Sequence, residues 1–102
     1  MNYLQLFISA KDIRNANEML DMLLKRKTIA GGLILKGPSK FWWKKQIVQT
    51  EYYNISAFTT EKYQESIISL VRKVSPEEVP MIWFIKIYGN KEFLRWIDQS
   101  IG

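Results

Sequence analysis

The chain has 102 residues, 47% of them hydrophobic and 25% charged, and no apolar run approaches the roughly 20 residues of a membrane span, so it reads as one water-soluble domain over residues 1–102. It has no cysteine and no histidine, which excludes disulfides, thiolate nucleophiles, imidazole proton transfer and the side chains that zinc and copper prefer. No catalytic constellation and no cofactor are expected, and the net charge of +5 favours anionic partners without requiring one. The opening MNYLQLFISAKD has neither a basic leader nor a small-residue cleavage site, so the cytoplasm is the expected compartment.

Tyr3 to Ile8, YLQLFI, predicts a first strand. Ser9 stands three residues before Asp12, the spacing of a capping box with Asp in place of Glu, so a helix is expected next. Ile13, Ala16, Leu20, Leu23 and Leu24 recur at helical spacing, with Arg14, Asn17, Glu18, Asp21 and Lys25 opposite. Lys25-Arg26-Lys27 then sets cations against the negative end of the helix dipole. Ala30-Gly31-Gly32 turns the chain into a second strand that begins Leu33-Ile34-Leu35; no Gly-Lys-Ser/Thr leads into a helix, so the glycines are not a phosphate loop. Gly37-Pro38 predicts a bend or bulge in that strand.

From Lys36 to Thr60 the chain is rich in β-branched and aromatic residues, and Phe41, Trp43, Ile47, Tyr53, Ile55 and Ala57 nearly alternate with polar neighbours. Two strands are predicted, one through FWW and one through YYNISAF, with the polar KKQ between them and no Asn-Gly pair to define a tight turn. Trp42-Trp43 and Tyr52-Tyr53 are consecutive, so one Trp and one Tyr must point away from whichever face meets the core.

After Thr60 a second amphipathic helix carries Tyr63, Ile67, Leu70, Val71 and Val74 on one face and ends at Ser75-Pro76. Pro80 to Tyr88, PMIWFIKIY, predicts a strand whose nearly unbroken apolar run implies burial on both faces. A last helix begins near Asn90, whose side chain can cap it, and buries Phe93, Ile97 and Ile101. The order βαββαβ plus a C-terminal helix is the ferredoxin-like α+β plan, an antiparallel sheet with two helices on one face and the other face open.

Residues spread over nearly the whole chain resemble the CutA divalent-ion tolerance proteins. They are LKRKTIA (Leu24–Ala30), the hairpin FWWKKQI in place of that family's aromatic-Trp-Glu-Gly-Lys, the Thr59-Thr60 helix start, SPEEVPMI and the ending FLRWIDQSIG. Pro76, Glu78, Val79, Pro80 and Ile82 match the family's His-Pro-Tyr-Glu-Val-Pro-Glu-Ile, and Leu94 and Trp96 its Tyr-Leu-x-Trp-Leu. The resemblance implies a ferredoxin-like protomer in a tight homotrimer built from sheets, linked to divalent-cation tolerance and not enzymatic. The chain departs from it with Ser75 at the family's His, Ile8-Ser9-Ala10 where many members carry a Cys, and Lys44-Lys45 in place of Glu-Gly, so the residues implicated in copper binding in relatives have no counterpart.

Glu77 and Glu78 are candidate carboxylate ligands for a hard cation, but calcium takes about six to eight oxygens, and a solvated turn is the plainer reading. Phe41, Trp42, Trp43, Tyr52 and Tyr53 are candidate subunit-interface residues, since Trp and Tyr are enriched where proteins meet. Trimers of this shape also resemble PII-like signalling proteins, in which Lys36, Lys44, Lys45 and Arg72, with Lys40 and Lys73, would line an intersubunit cleft for an anionic small molecule. Interleaved aromatics and lysines at 40–45 suit single-stranded RNA, but QTEYYNISAF lacks the basic-Gly-aromatic signature of an RRM strand, so nucleic acid is the least favoured partner.

Overall fold

The computed structural model describes residues 2–101; of the expected 1–102 domain, Met1 and Gly102 lie outside the described residues. In chain order the elements are β1 (Tyr3–Ala10), α1 (Ile13–Lys25), β2 (Gly31–Trp43), β3 (Gln46–Thr60), a 3-10 turn (Glu61–Tyr63) running into α2 (Gln64–Val74), β4 (Ile82–Ile87) and α3 (Lys91–Ser100). The strands form one antiparallel sheet in the order β2-β3-β1-β4, the ferredoxin-like α+β arrangement. Among the described residues no helix is long and apolar enough to cross a membrane.

One sheet face carries the core. Leu6 and Ile8 of β1 and Ile55 and Ala57 of β3 are wholly buried against Ala16, Met19 and Leu23 of α1 and Ile67 and Val71 of α2. The α1 stripe differs from its prediction: Ile13 and Leu24 are exposed while Asn15 and Met19 turn inward. The helix start differs from its prediction as well. Asp12, not Ser9, is the N-cap, and its carboxylate accepts from the Asn15 backbone N–H at 2.8 Å. Ser9 remains in β1, wholly buried. At the other end Lys27 takes a left-handed conformation (φ 55°), and the amides of Thr28 and Lys27 donate to the carbonyls of Leu23 and Leu24, a Schellman closure made without glycine.

The β2–β3 pair is much longer than the rest of the sheet. Its register runs unbroken from Gly31↔Phe58 to Trp43↔Gln46, so Gly37-Pro38 makes neither a bend nor a bulge. Pro38 is tolerated because β2 is an edge strand, where a missing N–H leaves no ladder bond unmade. The turn is only Lys44-Lys45, both at positive φ (48° and 67°) as a two-residue hairpin requires, and the second strand therefore starts at Gln46, not in the tyrosine pair. Because β1 pairs with β3 only as far as Ala10↔Tyr53, residues 37–52 project as a two-stranded arm, and the molecule measures 44 × 25 × 21 Å.

The second sheet face is not wholly open. α3 covers one end of it: Phe93 meets Phe58 edge to face at 5.0 Å, Trp96 lies over Gly31, and the Tyr3 hydroxyl donates to Asp98 at 2.6 Å. Ile97 and Ile101 are buried there, whereas Asn90 sits at the N-cap without capping and gives its amide to Glu92 instead. β4 is shorter than predicted and buried on one side only. As an edge strand it turns Ile82 and Phe84 to the core and leaves Trp83 and Ile85 about half exposed on the other face.

Candidate functional site

Strand alternation places Leu33, Ser56, Phe7 and Trp83 in one row across all four strands, on the face away from α1 and α2. Phe7 and Trp83 stack at 4.2 Å, and Leu33 and Leu35 on one sheet edge and Trp83 and Ile85 on the other are each exposed by 43% to 50%, large apolar groups that one protomer does not cover. Beside it the arm and the segment 77–81 enclose a cleft of about 860 Å³, lined chiefly by Phe41, Trp43, Tyr52, Asn54, Glu77 and Met81.

Tyr52 and Glu77, which line this cleft, belong to a part-buried polar node. Ser9 Oγ donates to Glu77 Oε2 at 2.8 Å and accepts from the Met81 N–H at 2.8 Å, while the Ser9 N–H donates to the Met81 carbonyl at 2.9 Å. The Tyr52 hydroxyl donates to Glu77 Oε1. One serine thus ties β1 to the segment leading into β4, and one carboxylate ties that segment to the arm. Asn54 is the cross-strand neighbour of Ser9, and its buried Oδ1 has no donor, an omission that ordinarily costs about 1 to 3 kcal/mol.

Burial, and then the hydrogen bond to Glu77, push the Tyr52 hydroxyl up to about 12; Ser9 pulls the other way, and the negative charge of Glu77 adds a smaller push upward. Between the ordinary value of 10.0 and about 12 the folded state therefore holds a proton that the unfolded chain has released, so stability must fall as pH rises through that window. Melting temperature followed from pH 9 to 12 should decline more steeply for the native protein than for Tyr52→Phe; equal slopes would separate the hydroxyl from the effect.

The sequence candidates distribute as follows. Glu77 and Glu78 do not converge: Glu77 is engaged by Ser9 and Tyr52, Glu78 approaches Lys44 at 3.7 Å, and among the described residues no cluster of three or more carboxylates forms. Lys36 holds Glu51 at 3.2 Å, and the hydrogen bond and charge of that carboxylate raise its ammonium above its usual range. Lys44 and Lys45 make the arm's tip, and Arg72 lies on the exposed side of α2. Of the five aromatics, Phe41 and Tyr52 meet edge to face at 5.6 Å in the cleft with Trp43, Tyr53 packs on the protomer's own core, and Trp42 is 71% exposed on the arm's other face. Ser9, Asn54 and Met81 were not among the candidates; their roles depend on partners up to 72 residues away, and no local pattern reports them.

Residues 4–100 match the family model described as CutA1 divalent ion tolerance protein. The chain is 33% identical over 98 residues to the divalent-cation tolerance protein CutA of Archaeoglobus fulgidus, spanning 94% of this chain and 95% of that one. It is 30% identical over 80 residues to the protein of the same description from Thermotoga maritima, with 78% and 79% covered. A solved structure from Archaeoglobus fulgidus, described as a periplasmic divalent cation tolerance protein CutA, superposes with a TM-score of 0.94 at 27% identity, covering 98% of this chain and 99% of that one.

Proposed function

This chain belongs to the CutA1 divalent ion tolerance protein family, and from that premise we propose that it acts as a non-enzymatic homotrimeric scaffold in divalent-cation tolerance. The observation that carries the assembly is the sheet face away from α1 and α2: Leu33 and Leu35 on β2 and Trp83 and Ile85 on β4 leave large apolar side chains about half exposed at both of its edges. The outer edges of β2 and β4 are unpaired within the protomer, so a neighbouring sheet can also be joined through backbone hydrogen bonds. Phe41, Trp43 and Tyr52 extend this contact surface along the arm, with Trp42 and Tyr53 on the arm's other face, and three copies around a closed axis would bring such surfaces together. Light scattering across micromolar concentrations tests the reading; a monomer throughout would refute it.

The metal side of the proposal is that this member does not hold soft or borderline ions through a built site. It has no imidazole and no thiolate, and both oxygens of Glu77 already accept hydrogen bonds. Copper and zinc should therefore titrate no more tightly than onto an ordinary acidic surface. Calorimetry yielding a stoichiometric, submicromolar copper site would overturn this.

The alternative of a PII-like anionic effector rests on basic residues of which Lys36 and Lys44 already face carboxylates, leaving Lys45 and Arg72 to attract the ligand across a subunit boundary. A rise in melting temperature with an added nucleotide would favour it. The compartment, cytoplasm on the sequence reading and periplasm in the description of the Archaeoglobus fulgidus relative, is decided by cell fractionation.

A further inference from the structure

The sheet face away from α1 and α2 carries a ridge at one end and a groove at the other. Tyr52, Asn54, Ser56 and Phe58 share that face of β3. Phe58 lies under α3, whose Phe93 meets it at 5.0 Å, whereas Tyr52 and Asn54 line the cleft of about 860 Å³. β1 holds the two ends apart. Tyr3 bonds Asp98 of α3 and Ser9 bonds Glu77, and the strand covers about 20 Å between them, so α3 does not reach the cleft of its own protomer.

Each end lacks what the other presents. The donors to Glu77, Ser9 and Tyr52, are neutral, and the ion pairs among the described residues are Arg14–Glu18, Lys36–Glu51 and Lys44–Glu78. Asn54 Oδ1, in the same cleft, is buried without a donor, and the walls made by Phe41, Trp43, Val79 and Met81 are apolar. On α3 the acids are engaged, Asp98 by Tyr3 and Glu92 by Asn90. Arg95 is exposed and, among the described residues, pairs with no carboxylate; Trp96 beside it is 43% exposed. The groove thus offers acceptors and apolar walls, and the ridge a guanidinium and an indole.

We infer, resting on the homotrimer proposed above, that α3 of one copy seats in the cleft of the next, its Arg95 against the neighbour's Glu77 and its Trp96 among Phe41, Trp43 and Met81. Each carboxylate oxygen keeps a lone pair after accepting one hydrogen bond, so the guanidinium fork adds to Ser9 and Tyr52 without displacing them. A guanidinium has five N–H donors, enough to serve Asn54 Oδ1 as well. The placement also settles how the face is covered. α3 stands above the sheet, so two sheets cannot lie flat on one another at that end, and a neighbour's cleft is the space that accepts the helix. Ridge and groove are present on every copy, so the contact runs head to tail and closes at three. Assembly fills the cleft.

The chain has no cysteine, so introduced thiols report the contact directly. Val79 lines the cleft and Gln99 lies one turn beyond Arg95 on α3, and both are exposed. A short bismaleimide is expected to convert Val79→Cys/Gln99→Cys into covalent trimers on a denaturing gel, with each single variant staying at the mass of one chain. Arg95→Glu sets a second carboxylate against Glu77 and should raise the concentration at which the assembly dissociates, read by sedimentation velocity, roughly tenfold or more. Adding Glu77→Arg to it should recover most of that loss; if this exchange fails to fold, Arg95→Glu and the cross-link remain the test. An assembly of native mass whose cross-links form only within chains or not at all, or in which Arg95→Glu dissociates as the native protein does, overturns this inference and leaves the trimer standing. Cross-links that stop at the dimer overturn the head-to-tail ring, and a native protein that is monomeric overturns the trimer and this inference together.

Discussion

In the homotrimer proposed above, Leu35→Asp and Trp83→Asp are expected to dissociate the assembly into folded monomers. Both side chains lie on the apolar sheet face, about half exposed in the protomer, and neither is needed to fill the core between the sheet and α1 and α2. A buried aromatic or aliphatic anchor at the centre of an interface typically contributes about 2 kcal/mol or more, and a carboxylate placed there without a partner must also be desolvated. Symmetry repeats the change in every contact, so the shift in association should be far larger than any single protomer effect. Leu35→Asp is the cleaner of the two, because Trp83 also stacks on Phe7 at 4.2 Å and its loss removes about 0.5 to 1.5 kcal/mol of ring contact inside the protomer. Sedimentation velocity gives the mass and far-ultraviolet circular dichroism the fold. Variants that keep the native mass would show that the subunits meet elsewhere, and a native monomer that binds single-stranded RNA through this face would replace the scaffold reading with the nucleic-acid one.

Leu6→Ala should destabilise the protomer by about 2 to 5 kcal/mol, the range for deleting a large aliphatic side chain from a packed core. Leu6 is wholly buried on β1, an inner strand, with Ala57 and Phe84 beside it across the two ladders and the helices above. Because Ala57, directly opposite on β3, is already small, it cannot swing in to fill the space, which places the expected loss in the upper half of that range. In a chain of this size each 1 kcal/mol lowers the melting temperature by about 4 to 8 °C, so the variant should melt well below the native protein. Denaturant unfolding of Leu6→Ala in the monomeric Leu35→Asp background separates this loss from any change in association. Trp42→Ala in the same background should change the unfolding midpoint little, since Trp42 is 71% exposed on the arm; a loss as large as that of Leu6→Ala would show that the arm is part of the core.

The order of elements and the helix-covered face were legible because they follow from periodicity, a local property. Ile55 and Ala57 alternate with polar neighbours, Ile67 and Val71 are one helical turn apart, and such spacings predicted the ferredoxin-like plan and these members of its core, all four of them wholly buried. The Pro76-to-Ile82 segment and the Leu94 and Trp96 ending likewise pointed to the family that residues 4–100 match. Such signals survive without knowledge of the rest of the molecule.

Other features depended on which strands became edges and on pairs distant in the chain. PMIWFIKIY reads as doubly buried, but β4 lies at the sheet's edge with only Ile82 and Phe84 turned to the core; apolar content sets what can be buried, and position in the sheet sets what is. Gly37-Pro38 is a breaker in isolation, yet it continues a strand because an outer edge asks for no N–H. Ser9 looked like a helix cap three residues before Asp12, but the backbone stays in β1 through Ala10, and the hydroxyl is committed to Glu77 and Met81 some 68 and 72 residues away. Composition and spacing thus determined by themselves a cysteine- and histidine-free ferredoxin-like chain with aromatics to spare. Only the tertiary structure decided that Glu77 would accept from the hydroxyls of Ser9 and Tyr52, because a carboxylate's charge is local in sequence while its partners depend on which distant groups the fold brings near.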